Sequence, residues 1–211
     1  MRILLFDAAN TLIHKPTLWD RIQEVLTAHD YEVDRQELKK RHKLLSEVIN
    51  FPDRTSKDFY RDFNTELLLS LGILPTEELL EDLFSNCTYQ PWQAFDDCQY
   101  LFELNIRKAI LSNFNSSLSD LIGALIGQDV FDEIIISETE KVRKPSLEFY
   151  QIAIDRLDVD PSEVLYIGDS LKLDFIPAKT LGMNTLLIDR DGIYRYPAHK
   201  ISSFKELKNH I

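Results

Sequence analysis

Cysteine is scarce in this sequence: its 211 residues include two, Cys87 and Cys98. Two isolated thiols make neither a disulfide framework nor a metal-ligand cluster, so a reduced, cytosolic protein is expected. Long apolar runs are missing as well. No stretch approaches the roughly 20 residues that cross a bilayer, and the first residues hold no apolar run suited to a signal peptide; a membrane role is therefore not expected. Basic residues are outnumbered, 24 Lys and Arg against 35 Asp and Glu, for a net charge of -11. A chain of that sign repels nucleic-acid backbones and anionic membrane surfaces at long range, which leaves small soluble molecules as the expected partners. If such a molecule carries phosphate, the acidic surface does not draw it in, and the site needs local positive charge from a lysine or a metal. Internal repeats and low-complexity segments are absent, and nothing in the pattern sets an oligomeric state.

What is present suits one compact core plus a modest inserted module: 44% of the residues are hydrophobic and 28% charged. Ile3-Leu4-Leu5-Phe6 is a short apolar run ending in Asp7, the pattern of a parallel strand buried on both faces. Residues 108–111, 134–136, 164–167 and 185–188 look alike, and a stretch long enough for a helix separates each from the next. Strands alternating with helices predict an α/β class, with a doubly wound, parallel, five-stranded Rossmann-like core. Three of the runs end in residues able to carry chemistry, namely Asp7, Ser112-Asn113 and Gly168-Asp169. Ligands of open α/β sheets bind outside the carboxyl ends of the strands, so these residues are expected to converge on one crevice.

The first two runs lie about a hundred residues apart, far more than a crossover helix needs. That gap reads as helical. Apolar residues recur at helical spacing over 18–29, 38–49 and 59–71, and Thr76, just after Pro75, is a plausible N-cap for a further helix. Residues 15–88 are accordingly read as an all-helical cap, hinged near Lys15-Pro16 and Gln90-Pro91, with 1–14 and 89–211 forming the core. The apolar stripes of the cap are read as bundle packing, and no cap residue announces chemistry.

Four short motifs stand in order at the strand ends: Phe6-Asp7-Ala8-Ala9-Asn10-Thr11-Leu12, Leu111-Ser112-Asn113, Arg143-Lys144-Pro145 and Gly168-Asp169-Ser170-Leu171-Lys172-Leu173-Asp174. In this order the chain resembles the haloacid dehalogenase-like (HAD) hydrolase superfamily, in the subgroup with a helical cap inserted after the first core strand. The resemblance implies a covalent nucleophile at Asp7, helped catalytically by Ser112 and Lys144. Thr11, Ser112, Asn113 and Lys144 would contact the substrate. Mg²⁺ would be held by Asp7, the backbone carbonyl of Ala9 and Asp169, with Asp174 behind them orienting Lys144 or a metal-bound water. A carboxylate at a strand end suits this work, because it is already deprotonated and splits one hard displacement into two easier ones. The cation offsets repulsion between that carboxylate and an anionic phosphate, and hard oxygen ligands suit Mg²⁺.

One departure from the family pattern matters. Phosphatases of the superfamily carry a second aspartate two residues after the nucleophile, then glycine; this chain has Ala9 and Asn10. Asparagine enters left-handed conformations readily, whereas alanine neither protonates a leaving group nor activates water, a contribution of ~10²–10⁴-fold. The expected activity is thus a weak or specialised phosphatase for a small phosphorylated metabolite. A non-catalytic phosphate- or metal-binding protein ranks next, followed by a 2-haloacid dehalogenase and a phosphonoacetaldehyde hydrolase-like enzyme. Dehalogenases also lack the second carboxylate, but their pattern has Ser-Asn where this chain has Gly168-Asp169. The last alternative needs a cap lysine, for which Lys39, Lys40, Lys43 and Lys57 compete.

Overall fold

The computed structural model describes residues 2–196 and 199–211. It divides into two compact units, one comprising the residues up to His14 together with Gln93–Ile211, the other Lys15–Trp92.

The first unit is built on a parallel sheet. β1 (Ile3–Phe6), β4 (Arg107–Ser112), β5 (Glu133–Ile136), β6 (Val164–Gly168) and β7 (Asn184–Ile188) coincide with the five apolar runs. The sheet has six strands rather than the five expected, in the order β5-β4-β1-β6-β7-β8. The additional strand, β8, is Lys200–Ile201, pairing in parallel with β7. Two residues with one apolar side chain carry no run to detect, so sequence periodicity passes over it. Successive side chains point to opposite faces. Ile3 and Leu5 join Ala109, Leu111, Ile135, Phe149, Tyr150 and Tyr166 in one core, while Phe6 meets Phe131 and Phe204 edge-on at ring distances of 6.1 and 5.6 Å. Helices α5 (Leu118–Leu125), α6 (Ser137–Glu140), α7 (Leu147–Leu157) and α8 (Ile176–Thr180) alternate with these strands.

Strand order reverses beside β1: the chain steps outward through β4 and β5, then returns to β6 on the other side. A crevice forms at such a reversal. The register pairs Phe6 with Ile110 and with Ile167, which brings the ends of all three strands, and the residues that follow, level with Asp7. A short antiparallel ribbon of β2 (Ile13–His14) and β3 (Gln93–Ala94) marks where the chain leaves this unit and returns to it.

The second unit is all-helical, with α1 (Leu18–Ala28), α2 (Arg35–Val48), α3 (Lys57–Ser70) and α4 (Glu77–Cys87). Thr76 caps α4 through its side-chain oxygen, which accepts from the Leu79 N–H at 3.3 Å. Ile22, Leu26, Leu38, Phe63, Leu67, Leu79 and Leu83 close a core of its own. At its edge His42 meets Trp19 at 5.1 Å and Phe63 at 4.9 Å. Burial, with the nearby Lys43 and Lys15 ammonium groups, lowers the His42 pKa to about 4 from 6.5.

A stability slope follows. Above pH 6.5 the ring is neutral in both the folded and unfolded chain. As pH falls from there to about 4, the unfolded chain takes up a proton that the folded one refuses, and stability drops by up to about 3 kcal/mol before levelling off. Denaturant melts across this interval should show the loss in the wild type and a flatter profile in His42→Phe. Parallel profiles would assign the acid sensitivity to other groups.

Candidate active site

Asp7 follows the last residue of β1, its backbone N–H bonded to Ile167 O at 2.9 Å, and is 6% exposed. Its two oxygens have unequal surroundings. Oδ1 accepts from Lys144 Nζ at 2.6 Å and from Ser112 Oγ at 3.0 Å, whereas Oδ2 has a long contact from Thr11 Oγ1 at 3.5 Å. Burial pushes the Asp7 carboxyl above its ordinary range; the Lys144 charge opposes this and the Asp174 charge reinforces it.

Lys144 is nearly closed off from solvent, at 3% exposed. An ammonium has three N–H donors, and here each finds an acceptor: Asp7 Oδ1 at 2.6 Å, Asp174 Oδ1 at 2.7 Å and Tyr166 Oη at 3.2 Å. Burial alone would discharge this lysine, but the Asp174 and Asp7 charges and hydrogen bonds outweigh it and hold its pKa above the usual lysine range. Asn113 positions the residue that carries it. Its Nδ2 donates to the Lys144 carbonyl at 3.0 Å, and its Oδ1 accepts from the Lys144 N–H at 2.8 Å. Both polar ends of the Asn113 amide therefore serve the loop of Lys144, where the resemblance had implied a substrate contact.

Asp174 comes from a π-helical turn over Leu171–Phe175 that follows the end of β6. Its Oδ2 accepts from the Ser170 N–H at 3.0 Å, and its Oδ1 accepts from Tyr166 Oη at 2.9 Å as well as from Lys144. Gly168 makes this approach possible. A Cβ there would sit 2.4 Å from Asp174 Cγ, inside any tolerable contact. Oxygens of Asp7, Asp169 and Asp174 all lie within 4.8 Å of one another. Three carboxylates against one ammonium repel each other in a buried place, and hard oxygen donors in that number fit a divalent cation such as Mg²⁺.

The turn after Asp7 is compact. The Ala8 carbonyl accepts the N–H groups of Thr11, Leu12 and Ile13 at 3.3, 2.8 and 3.0 Å, and Asn10 takes the left-handed conformation with φ +58° that its residue type allows. Ala9 is half-buried on this turn, and Thr11 is fully buried with its hydroxyl toward Asp7. The sequence pattern assigns Tyr166 no role, since it lies within an apolar run that looks like plain strand. A phenol in a strand buried on both faces must find a polar partner, and that was the available signal.

The sequence model of the haloacid dehalogenase-like hydrolases matches residues 1–182. This chain belongs to that family. Among HAD-like relatives, haloacid dehalogenase-like hydrolase domain-containing protein 3 of Homo sapiens is 24% identical over 208 residues, covering 89% of this chain and 82% of that one. The Danio rerio counterpart aligns over 58% of its own length. The (S)-2-haloacid dehalogenase 1 of a Pseudomonas species is 30% identical over 98% of this chain and 95% of that one. A glyceraldehyde 3-phosphate phosphatase of Methanocaldococcus jannaschii is 37% identical over 83 residues, 36% of each chain. The HAD fold itself recurs in a HAD-hydrolase structure from Bacillus subtilis, which superposes with a TM-score of 0.67 at 19% identity over 99% of this chain and 97% of that one. The six-stranded parallel sheet described above is thus the HAD core.

Gly168→Ala tests the close approach directly. The added methyl group must drive Asp174 off Lys144 and Ser170, and overpacking of this kind costs about 1–3 kcal/mol. Equilibrium unfolding should show that loss, and unchanged stability would mean that Asp174 moves aside freely.

Proposed function

We propose that this HAD-like hydrolase is a Mg²⁺-dependent phosphatase of small phosphorylated metabolites, working through an aspartyl-phosphate on Asp7. The observation that carries this reading is the convergence of Asp7, Asp169 and Asp174 at the carboxyl ends of β1 and β6, with the buried Lys144 ammonium shared between Asp7 and Asp174. Asp7, Asp169 and the Ala9 carbonyl would hold the ion, with Asp174 behind them. When bound, it would offset the negative charge that phosphate brings to a carboxylate-lined site.

The chain's own residues account for the remaining steps. Asp7 Oδ1 is committed to Lys144 and Ser112, so the lone pairs of Oδ2 face the phosphorus. Attack forms the Oδ2–P bond and breaks the P–O ester bond, and the electron pair leaves on the departing oxygen, which takes a proton from water. Lys144 and Ser112 hold Asp7 in line and add positive charge and a donor beside the transferring group. Water then attacks phosphorus, releasing phosphate and restoring the Asp7 carboxylate. With alanine at position 9, no carboxyl group assists either proton transfer. Leaving groups that are stable anions, such as acyl or aryl phosphates, are the preferred substrates. The helical unit of residues 15–92 would be the cap that the family resemblance implies.

Asp7→Asn should abolish turnover of aryl phosphates while the protein stays folded, and Asp169→Ala should lose both turnover and Mg²⁺ binding by calorimetry. Retention of most activity in Asp7→Asn would refute the proposal. Ala9→Asp should raise turnover, most for alkyl phosphates and by less than ~10²–10⁴-fold, since the new carboxyl lacks neighbours to tune it. No gain on any ester would mean that the missing carboxyl is not limiting.

A second reading, 2-haloacid dehalogenase, is favoured by the absent second carboxylate and by the near full-length relative that carries that name. Asp7 would then displace halide from carbon. Assays of 2-haloacids and aryl phosphates with and without a chelator separate the two: haloacid turnover that survives chelation favours the dehalogenase.

A further inference from the structure

Arg190 lies just past β7, beyond the residues the family model matches, so the family resemblance assigns it no role. Its guanidinium is mostly buried. It grips Asp97 in two-pronged fashion, Nη1 to Oδ2 at 2.7 Å and Nη2 to Oδ1 at 3.1 Å, and Nη2 also donates to the carbonyl of Thr11 at 2.9 Å. The planar group stands 3.8 Å from the ring centre of Phe95 and 5.0 Å from that of Phe204, and Phe95 in turn stacks on His14 at 4.0 Å. Asp97 is itself held by Ser203 Oγ at 2.7 Å and the Phe204 N–H at 2.9 Å. Arg190 thus ties the end of the sheet and the C-terminal segment to the turn that follows the nucleophile.

The bond to Thr11 is what distinguishes this cluster from an ordinary surface tether. The peptide joining Thr11 and Leu12 is gripped on both sides, its carbonyl by Arg190 and its N–H by Ala8 O at 2.8 Å. Rotation of that peptide would swing the Thr11 hydroxyl away from Asp7 Oδ2 and disturb Ala9 two residues back. This mostly buried arginine also leaves donor capacity unused, since its Nε has no hydrogen-bond partner among the described residues. The fork is set by Asp97 and Thr11 rather than by its own full satisfaction. Lysine, with one point of charge, cannot span both acceptors with this geometry.

We propose that Arg190 is a positioning residue: clamped by Asp97, it locks the Thr11 peptide and thereby the turn that presents Asp7 to the substrate. The catalytic half of this statement rests on the phosphatase reading; the mechanical half does not. Arg190→Lys and Arg190→Met should each lower kcat on an aryl phosphate by about 10–100-fold, the scale of a small misplacement remote from the chemistry, with KM changed by no more than about 3-fold on the same argument. Hydrogen exchange of the Thr11, Leu12 and Ile13 amides should quicken in both. Ser203→Ala, which removes one bond to Asp97 without touching Thr11, should lower Tm yet leave kcat and turn exchange as in the wild type.

Loss of Tm in the Arg190 variants with kcat and turn exchange unchanged would overturn the proposal in favour of a merely structural clamp. Should the wild type turn over aryl phosphates no faster than Asp7→Asn, the phosphatase reading fails instead. The exchange rates then decide the clamp alone: faster exchange in Arg190→Lys upholds it, and unchanged exchange overturns it.

Discussion

The buried ammonium of Lys144, shared between Asp7 and Asp174, is the interaction on which the rest of the site depends. Removing three charges from water costs several kcal/mol for each ion, and attraction offsets that only when geometry is good and every donor is used. Each neighbouring feature serves this condition. Asn113 fixes the backbone of Lys144 from both sides, Tyr166 takes its third N–H, and Gly168 leaves room for Asp174 to come within reach. Ser112 joins Lys144 on Oδ1 of Asp7, while Oδ2 keeps the long contact from Thr11.

The cluster remains over-supplied with negative charge. Asp169 adds a third carboxylate within 4.8 Å of the other two, which both bind Lys144. An arrangement of this kind is costly unless a cation joins it, so the electrostatics that burden the folded chain are the ones that would recruit Mg²⁺. The overall acidity of the protein gives no long-range help to an anionic substrate. Under the phosphatase proposal, affinity for phosphate would therefore come from within the crevice, from Lys144, Ser112 and the proposed ion.

The two units are stabilised independently in the plain sense that each closes its own apolar core. The sheet supplies rigidity: strands buried on both faces cannot shift by a residue without exposing their side chains, so the residues at their ends keep their places. Loops then carry the variable parts. The turn after Asp7 carries alanine at position 9, and its conformation places Asn10 at positive φ.

Much of this was legible without coordinates. Five apolar runs and their polar ends announced the parallel core, because a strand buried on both faces must be apolar along its length and the chemistry must lie where it stops. Three helices between the first two runs were legible by period, and a fourth by the capping chemistry of Thr76. What the linear pattern could not carry was any feature made by distant residues meeting. Tyr166 looked like one more strand residue, β8 was too short to have a pattern, and Arg190 lies 179 positions from the carbonyl it holds. The sequence by itself determined the family, the strand ends and the identity of the charged groups, since those follow from local composition and spacing. Only the tertiary structure decided which oxygen of Asp7 is occupied, that Asn113 braces Lys144 and that Asp174 reaches it across Gly168, because hydrogen bonds depend on ångström-scale approach between segments that spacing along a chain does not encode.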